Sequence, residues 1–411
     1  MSSSTVFSIL GKNLRANTAQ DLEPYLSELK AMENVEEVHF GGNSLGVEAC
    51  QAIAEVLKGK KSLKVVDLAD IFTGRLISEI PQALTALCTS LSHHESLVEL
   101  DLSDNAFGGR CADAMVPFLR ENTWFEIFKL NNNGLGIAGG IIISEALVAN
   151  ADKSAREGKK SALRTIVCGR NRLENGSSAS WARAFEKLGG LREVRLPQNG
   201  IRMEGIKRLV KGLSFNKDLE VLDLQDNTAT KVGTRSVVRY LPIWTELRTL
   251  NLSDCLLGVH GGIALARCLS EGSNKKLEVL KLQYGEFDKR AIELLAIYIA
   301  NHGSALTCLE LNGNRADEED ECIEEVKKAL ALHGHEDALD ELDDMEEVDE
   351  DEESEGEGDT AEESEEEKED EGKEIDGIAR GEDDGGVLPA ATNEDTDDLA
   401  DMLAKVHVKQ E

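Results

Sequence analysis

Aromatic residues and long apolar runs are both scarce in this chain of 411 residues. Phe, Trp and Tyr make up only 4% of it, so a buried core must be built from aliphatic side chains. No stretch of about 18 apolar residues is present, so the sequence predicts no membrane span. The first residues lack a basic region followed by a long apolar stretch, which argues against secretion.

Motifs for catalysis and metal binding are missing as well. The sequence contains no GxxxxGK[ST] phosphate loop and no HExxH motif. Its eight cysteines form no CxxC pair or zinc-type cluster, which is typical of a reducing compartment. We interpret the eight histidines, including His93 and His94, as polar surface residues. The residues by themselves indicate a rigid binding scaffold without chemistry of its own.

Acidic charge is concentrated at one end of the chain. Lys and Arg number 45 against 79 Asp and Glu, a net charge of −34. Residues 336–411 hold 35 acidic and 5 basic residues, a net of −30, which leaves −4 for residues 1–335. We predict a folded domain at 1–335 and an acidic, mostly disordered tail at 336–411, because self-repulsion and few apolar side chains prevent a core. A chain this acidic repels phosphate groups, so we expect no nucleic-acid or membrane partner.

A motif of the form LxxLxLxxN recurs ten times between residues 35 and 314, at intervals of 28 to 38 residues. Leu97, Leu100, Leu102 and Asn105 form one copy. Each LxL predicts a short strand whose Leu side chains point inward. The Asn residues predict a ladder of hydrogen-bonded amides, and the residues that follow each turn, such as 47–57, predict an amphipathic helix. The pattern predicts an α/β leucine-rich repeat solenoid of about eleven repeats, with a curved parallel sheet inside and helices outside.

The two ends of the solenoid and two long repeats are also predictable. Residues 7–9 predict a strand that caps the first repeat, and Ile323, Val326 and Ala329 predict the face of a closing helix. One repeat is six residues longer than 28 and coincides with residues 70–75, which we interpret as functional. Another is ten residues longer near residues 150–156, which we interpret as a surface loop.

The turns that follow the strands are the most specific part of the sequence. Together they resemble the GTPase-activating proteins of the small GTPase Ran, at residues 70–75, 103–108, 132–136, 168–177, 224–228 and 311–315. The resemblance runs from about residue 7 to 330, continues at 339–347 and includes the acidic tail. The chain resembles the short fungal form of the family, for which we expect no additional domains that anchor at nuclear pores.

The resemblance implies a function for the whole chain. It implies a protein that binds Ran in its GTP form and stimulates GTP hydrolysis, in support of nucleocytoplasmic transport. Such a protein is an activator and not itself an enzyme, and it needs no cofactor, because Ran carries the GTP and magnesium. A Ran-binding protein is a further expected partner in a ternary complex, and the expected location is the cytoplasm with exclusion from the nucleus.

The resemblance also assigns roles to residues. A GTPase activator can insert an arginine finger, or it can position the GTPase's own glutamine. The family is described as acting without a finger, which makes Asn132 a residue that helps to orient the glutamine and Arg75 a support of the interface. Asn132 and Arg75 are the two predicted catalytic residues, and the sequence does not separate an interface role of Arg75 from a role in the transition state. The same turns suggest five partner-binding residues, namely Asp70, Gly74, Asp226, Arg170 and Arg172.

Structural alternatives stay open for these residues. Arg75 could be an ordinary surface arginine, Asn132 a turn residue, and Asp226 or the two other arginines members of intramolecular ion pairs. The whole chain could instead be an interaction scaffold that grips an enzyme in its concave face. The tail could be a solvated tract that aids solubility, or could attract a basic partner surface and speed association.

Overall fold

The computed structural model describes residues 5–345 as one continuous series of strands and helices. The strands are β1 (Val6–Ser8), β2 (Arg15–Ala16), β3 (Glu37–His39), β4 (Ser44–Leu45), β5 (Val65–Asp67), β6 (Glu99–Asp101), β7 (Ile127–Lys129), β8 (Thr165–Val167), β9 (Glu193–Arg195), β10 (Val221–Asp223), β11 (Thr249–Asn251), β12 (Val279–Lys281) and β13 (Cys308–Glu310). The helices are α1 (Glu23–Ala31), α2 (Val47–Leu57), α3 (Ile80–Leu91), α4 (Ala112–Glu121), α5 (Gly136–Arg156), α6 (Glu174–Leu188), α7 (Met203–Leu213), α8 (Thr230–Tyr240), α9 (Gly258–Ser270), α10 (Lys289–His302) and α11 (Glu321–Ala331). None of these helices is both long and apolar enough to cross a bilayer.

Eleven strands form one parallel sheet in chain order, which confirms the leucine-rich repeat solenoid. The registers pair equivalent positions, so Leu100 of β6 stands beside Phe128 of β7. The central residue of each strand is buried and its two neighbours are half-buried in most strands, as the LxL pattern predicts. β1 pairs with β3 and α11 buries Ile323, Val326 and Ala329, so both predicted caps are confirmed.

The predicted asparagine ladder runs along the turn that follows each strand. Asn171 is fully buried; its Oδ1 accepts the backbone N–H of Asn133 at 3.1 Å, and its Nδ2 donates to Leu130 O and Gly169 O. Each such amide therefore satisfies backbone groups of two adjacent repeats, which an apolar side chain would leave unpaired. The motif lacks Asn at Ile71, Cys255 and Gly285. The N–H groups of Ile71 and Gly285 donate to the asparagine of the next repeat, and the Cys255 thiol donates to Leu224 O at 3.2 Å.

A second polar row, not predicted from the sequence, lies at the ends of the helices. Asn122, Asn216 and Asn274 are buried five positions before a strand and donate to carbonyls at the end of the preceding repeat's helix. His94 occupies the equivalent position, and its Nε2 donates to Leu57 O at 2.9 Å. The interpretation of His94 as a surface residue is therefore wrong, because it is only 2% exposed.

Burial of His94 should make the stability of the solenoid depend on pH. Removal from water lowers the pKa of His94, so the unfolded chain binds a proton before the folded one does. The stability that neutral His94 contributes is present above about pH 6.5 and lost as the pH falls. We expect a smaller drop in melting temperature between about pH 7.5 and pH 5.5 in His94→Asn, which has the side chain found at this position in other repeats. Parallel melting curves for the two proteins would contradict this assignment.

The two long repeats differ in where their extra residues go. The first extends the segment between β5 and α3, as predicted. The second lengthens α5 to 21 residues, and Asn150 and Ser154 of this extension are buried. The prediction of a surface loop at 150–156 is wrong, because the extra residues continue the helix and Asn150 donates to Leu119 O and Asn122 O.

Residues 336–345 pack against the last repeat and do not begin a disordered tail. Leu339 forms a parallel bridge with Leu309 of β13, and Leu342 is buried. The Asp340 carboxylate accepts the N–H groups of Leu311 and Asn312, which face no further strand. Disorder from residue 336 is therefore wrong for these ten residues, because they satisfy the open edge of the sheet. The predicted tail beyond them, residues 346–411, lies outside the described residues.

Two truncations should separate this edge from the rest of the tail. A chain that ends at residue 335 should lose about 2–4 kcal/mol of unfolding free energy, because it leaves backbone donors unpaired and uncovers apolar side chains. A chain that ends at residue 345 should unfold like the full protein. Urea titration of both chains measures the difference, and equal stability of the two would contradict the capping role of 336–345.

Candidate functional site

One edge of the solenoid carries a row of residues in the left-handed backbone conformation, one for each of ten repeats. Each stands directly before the ladder position, and we call this set the edge row: Gly42, Asp70, Asp104, Asn132, Arg170, Gln198, Asp226, Asp254, Tyr284 and Gly313. From Gly42 to Tyr284 the backbone N–H donates to a carbonyl of the next repeat, as from Asn132 to Gly169 at 2.9 Å. Because their backbones are fixed in this way, the side chains of the row are presented at defined spacings along the edge.

Asn132 and Arg170 lie together at one cavity of about 320 Å³ on this edge. Asp104, Gln198 and Gln225 line it as well. The Asn132 amide donates to the carboxylate of Asp104 at 3.0 Å, and the Arg170 side chain is exposed. The cavity therefore offers amide groups, one carboxylate and one guanidinium, which suit hydrogen bonding to polar groups of a partner.

Asp226 and Arg172 lie elsewhere on the same edge. Asp226 belongs to the edge row and lines a neighbouring cavity of about 290 Å³ with Thr228 and Leu256. Arg172 is exposed, and buried Asn171 separates it from Arg170 in the chain. Among residues 5–345 we find no ion pair to Asp226, Arg170 or Arg172, so their charges remain available to a partner.

Arg75 is anchored to the first two repeats instead of extending into solvent. Its Nη1 donates to Asn17 Oδ1 at 2.5 Å, and its Nη2 donates to the carbonyls of Ala16 and Ser44 at 2.9 and 2.5 Å. Ala16 and Ser44 belong to the two-stranded sheet of β2 and β4, so the guanidinium closes the edge of that sheet. Arg75 is therefore a half-buried anchor of its loop and does not extend free into solvent.

The other two predicted residues shape the loop that carries Arg75. Asp70 accepts a hydrogen bond from the Thr73 hydroxyl, and the Ser44 hydroxyl donates to Thr73 O. Gly74 has φ of +72°, a conformation that disfavours any residue with a Cβ. Asp70 and Gly74 thus set the path of the loop two repeats away from Asn132, and Leu76 and Ile77 beyond Arg75 are exposed.

A GxSxG pattern at residues 42–46 has a structural role. Residues 42–46 match the GxSxG spacing of a serine nucleophile. The turn is instead a repeat turn, since Asn43 is buried as the ladder residue and Ser44 lies in β4. The Ser44 hydroxyl donates to the carbonyl of Thr73 at 2.8 Å, so this seryl oxygen stabilises the loop.

The strands that precede the edge row carry charged side chains with structural partners. Burial raises the pKa of the Asp101 and Asp223 carboxyls, and each also accepts the N–H of the residue two positions on. Lys129 pairs with Glu99 at 2.5 Å on neighbouring strands. Within the described part of the chain no three His, Cys, Asp or Glu side chains are close enough to hold a metal ion.

Comparison of the sequence with known proteins shows the family of this chain. A leucine-rich repeat model matches residues 93–115. The Saccharomyces cerevisiae Ran GTPase-activating protein 1 is 38% identical over 328 residues, which cover 78% of this chain and 80% of that protein. The chain belongs to the Ran GTPase-activating protein family. The Drosophila melanogaster member is 35% identical over 345 residues, which cover 80% of this chain and 57% of that protein. The Xenopus laevis Ran GTPase-activating protein 1 is 46% identical over 197 residues, 47% of this chain and 34% of that protein.

Sequence reasoning about this family member missed two side chains that hold the predicted ones. Asp104 stands 28 residues before Asn132 at the same register position, so alignment of the repeats alone could have paired them. Asn17 accepts from Arg75 across 58 residues and precedes the first full motif, so no sequence pattern pointed to it.

Proposed function

We propose that this protein binds Ran in its GTP form and stimulates hydrolysis of the bound GTP. Membership of the family supports the partner and the activity. The observation that carries the proposal is the edge row, where Asn132 and Arg170 meet at one cavity and present polar groups from rigid turns. In this proposal GTP and magnesium are carried by Ran, and the chain supplies no cofactor.

The proposed mechanism is positioning of the GTPase's own catalytic groups without an arginine finger. Hydrolysis needs a glutamine of the GTPase held so that it orients the attacking water. Asn132 is proposed to contact that glutamine, while Asp70, Gly74, Asp226, Arg170 and Arg172 contact the GTPase surface. The three hydrogen bonds that hold the Arg75 guanidinium support this view, because a finger must be free to reach the γ-phosphate.

The cellular part of the proposal follows from the activity. An activator confined to the cytoplasm and excluded from the nucleus would keep Ran·GTP low on one side only, which serves nucleocytoplasmic transport. A Ran-binding protein that joins a ternary complex is part of the same proposal. Imaging of a fluorescent fusion of the full chain tests the location, and uniform nuclear signal would contradict it.

Phosphate release from Ran·GTP tests the activity and separates it from the scaffold alternative. With Ran·GTP in roughly hundredfold excess, an activator should turn over repeatedly until all the bound GTP is hydrolysed. A stoichiometric scaffold would change at most one equivalent and then stop. Intrinsic hydrolysis unchanged by the protein would contradict the proposed function, whatever its affinity for Ran.

A further inference from the structure

Asp104 is the side-chain partner of Asn132 in the described structure. The Asn132 Nδ2 donates to Asp104 Oδ1 at 3.0 Å across the boundary between two repeats. Both residues belong to the edge row, with φ of +60° and +52°. Their backbone N–H groups donate to Asn131 O and Gly169 O, each at 2.9 Å. With both backbones fixed, only side-chain torsions separate the paired state from an unpaired one.

A carboxylate determines which end of a neighbouring amide faces it. An ionised Asp has only acceptor oxygens, so it binds the Nδ2 end of Asn132 and turns the Oδ1 end away. An asparagine without such a neighbour can present either its donor or its acceptor by rotation about χ2. Asp104 thereby turns an ambiguous side chain into one that offers its oxygen as a hydrogen-bond acceptor.

This orientation suits the chemistry of the proposed function. The carbonyl of a water-orienting glutamine must accept from the attacking water, so its NH₂ group has to point elsewhere. An outward amide oxygen on the activator can accept from that NH₂ group or from a backbone N–H beside it. The reversed amide would place two donors against each other and leave both without acceptors.

We propose that Asp104 is a positioning residue that holds the Asn132 amide with its oxygen toward the GTPase. The inference rests on the proposed function and adds to it a residue that acts through Asn132. Asp104 requires no contact of its own with nucleotide or water. Its effect should therefore appear in the turnover of the complex and vanish when Asn132 is absent.

Steady-state hydrolysis of Ran·GTP by full-length variants tests this. Asp104→Gly removes the carboxylate without straining a left-handed backbone. We expect it to lower kcat roughly tenfold, the loss of one hydrogen bond to a charged group, with KM unchanged. Asp104→Asn should recover part of this rate, because its amide oxygen can accept from Asn132 in one of its two orientations. Asp218→Gly, at an exposed position outside the edge row, should leave kcat unchanged.

The double variant Asp104→Gly with Asn132→Gly decides the matter. It should be no slower than Asn132→Gly alone, because a positioning residue has nothing left to position. Additive losses, a change confined to KM, or an unchanged kcat for Asp104→Gly would each overturn the inference while leaving the proposed function in place. A parent chain that fails to accelerate hydrolysis would overturn both.

Discussion

Replacing Asn132 with Ala should lower kcat for Ran·GTP hydrolysis about 100-fold, the usual cost of removing one preorganised polar group at a reacting centre. The KM for Ran·GTP should change little, because the amide is one group within a long interface and acts on the glutamine in the reacting complex. Single-turnover phosphate release at saturating activator, together with titration of Ran·GTP, measures the two quantities separately.

The backbone at position 132 requires a second variant. Asn132 has φ of +52°, and Ala in the left-handed region is strained by about 1 kcal/mol. Asn132→Gly removes the same amide without that strain, so its kcat should fall as far as that of the Ala variant. If the Gly variant keeps the parent rate, the residue acts as a turn former and its catalytic assignment is wrong.

Much of the fold was predictable because a repeat states the same pattern many times. The predicted helix at 47–57 is α2 to the residue, and the LxL positions are buried throughout. The errors arose where one residue type serves two environments. Histidine is usually a surface residue, yet His94 takes the place of a buried Asn, and the acidic stretch from 336 uses Asp340 to pair backbone donors.

The sequence predicted which residues belong to the candidate site but not how they are arranged. The turn motifs identified Asn132 and Arg170, which the structure brings to one cavity. They did not show that Arg75 faces the first two repeats, because its partners Asn17 and Ala16 come before the first regular motif. Contacts across a solenoid follow the stacking of repeats, which periodicity fixes, whereas contacts of an inserted loop depend on its own path.

Arg75→Ala should abolish most of the activity by releasing the loop at 70–79. The variant loses three hydrogen bonds to the first two repeats, so we expect about 1–3 kcal/mol lower unfolding free energy as well. The catalytic loss should fall mainly on KM, because Asp70 and Gly74 would no longer hold the shape of the proposed contact surface. Calorimetry and the hydrolysis assay, run on the same preparation, measure both effects.

Two companion variants separate an anchoring role of Arg75 from an arginine finger. Arg75→Lys keeps the charge, but an ammonium group cannot replace the planar guanidinium that donates to three acceptors. If Arg75 is an anchor, the Lys variant should therefore not recover the stability or the activity of the parent. Asn17→Ala removes the acceptor of the Arg75 Nη1 group and leaves Arg75 itself in place. If Arg75 is an anchor, this variant should lose part of its unfolding free energy and part of its affinity for Ran·GTP. A finger would behave differently: its loss costs about 10³–10⁵ in kcat with the melting temperature unchanged, and Asn17→Ala would be silent. That combination of results would replace the positioning mechanism by direct stabilisation of the transition-state charge, because a guanidinium cannot both hold the first two repeats and neutralise the γ-phosphate.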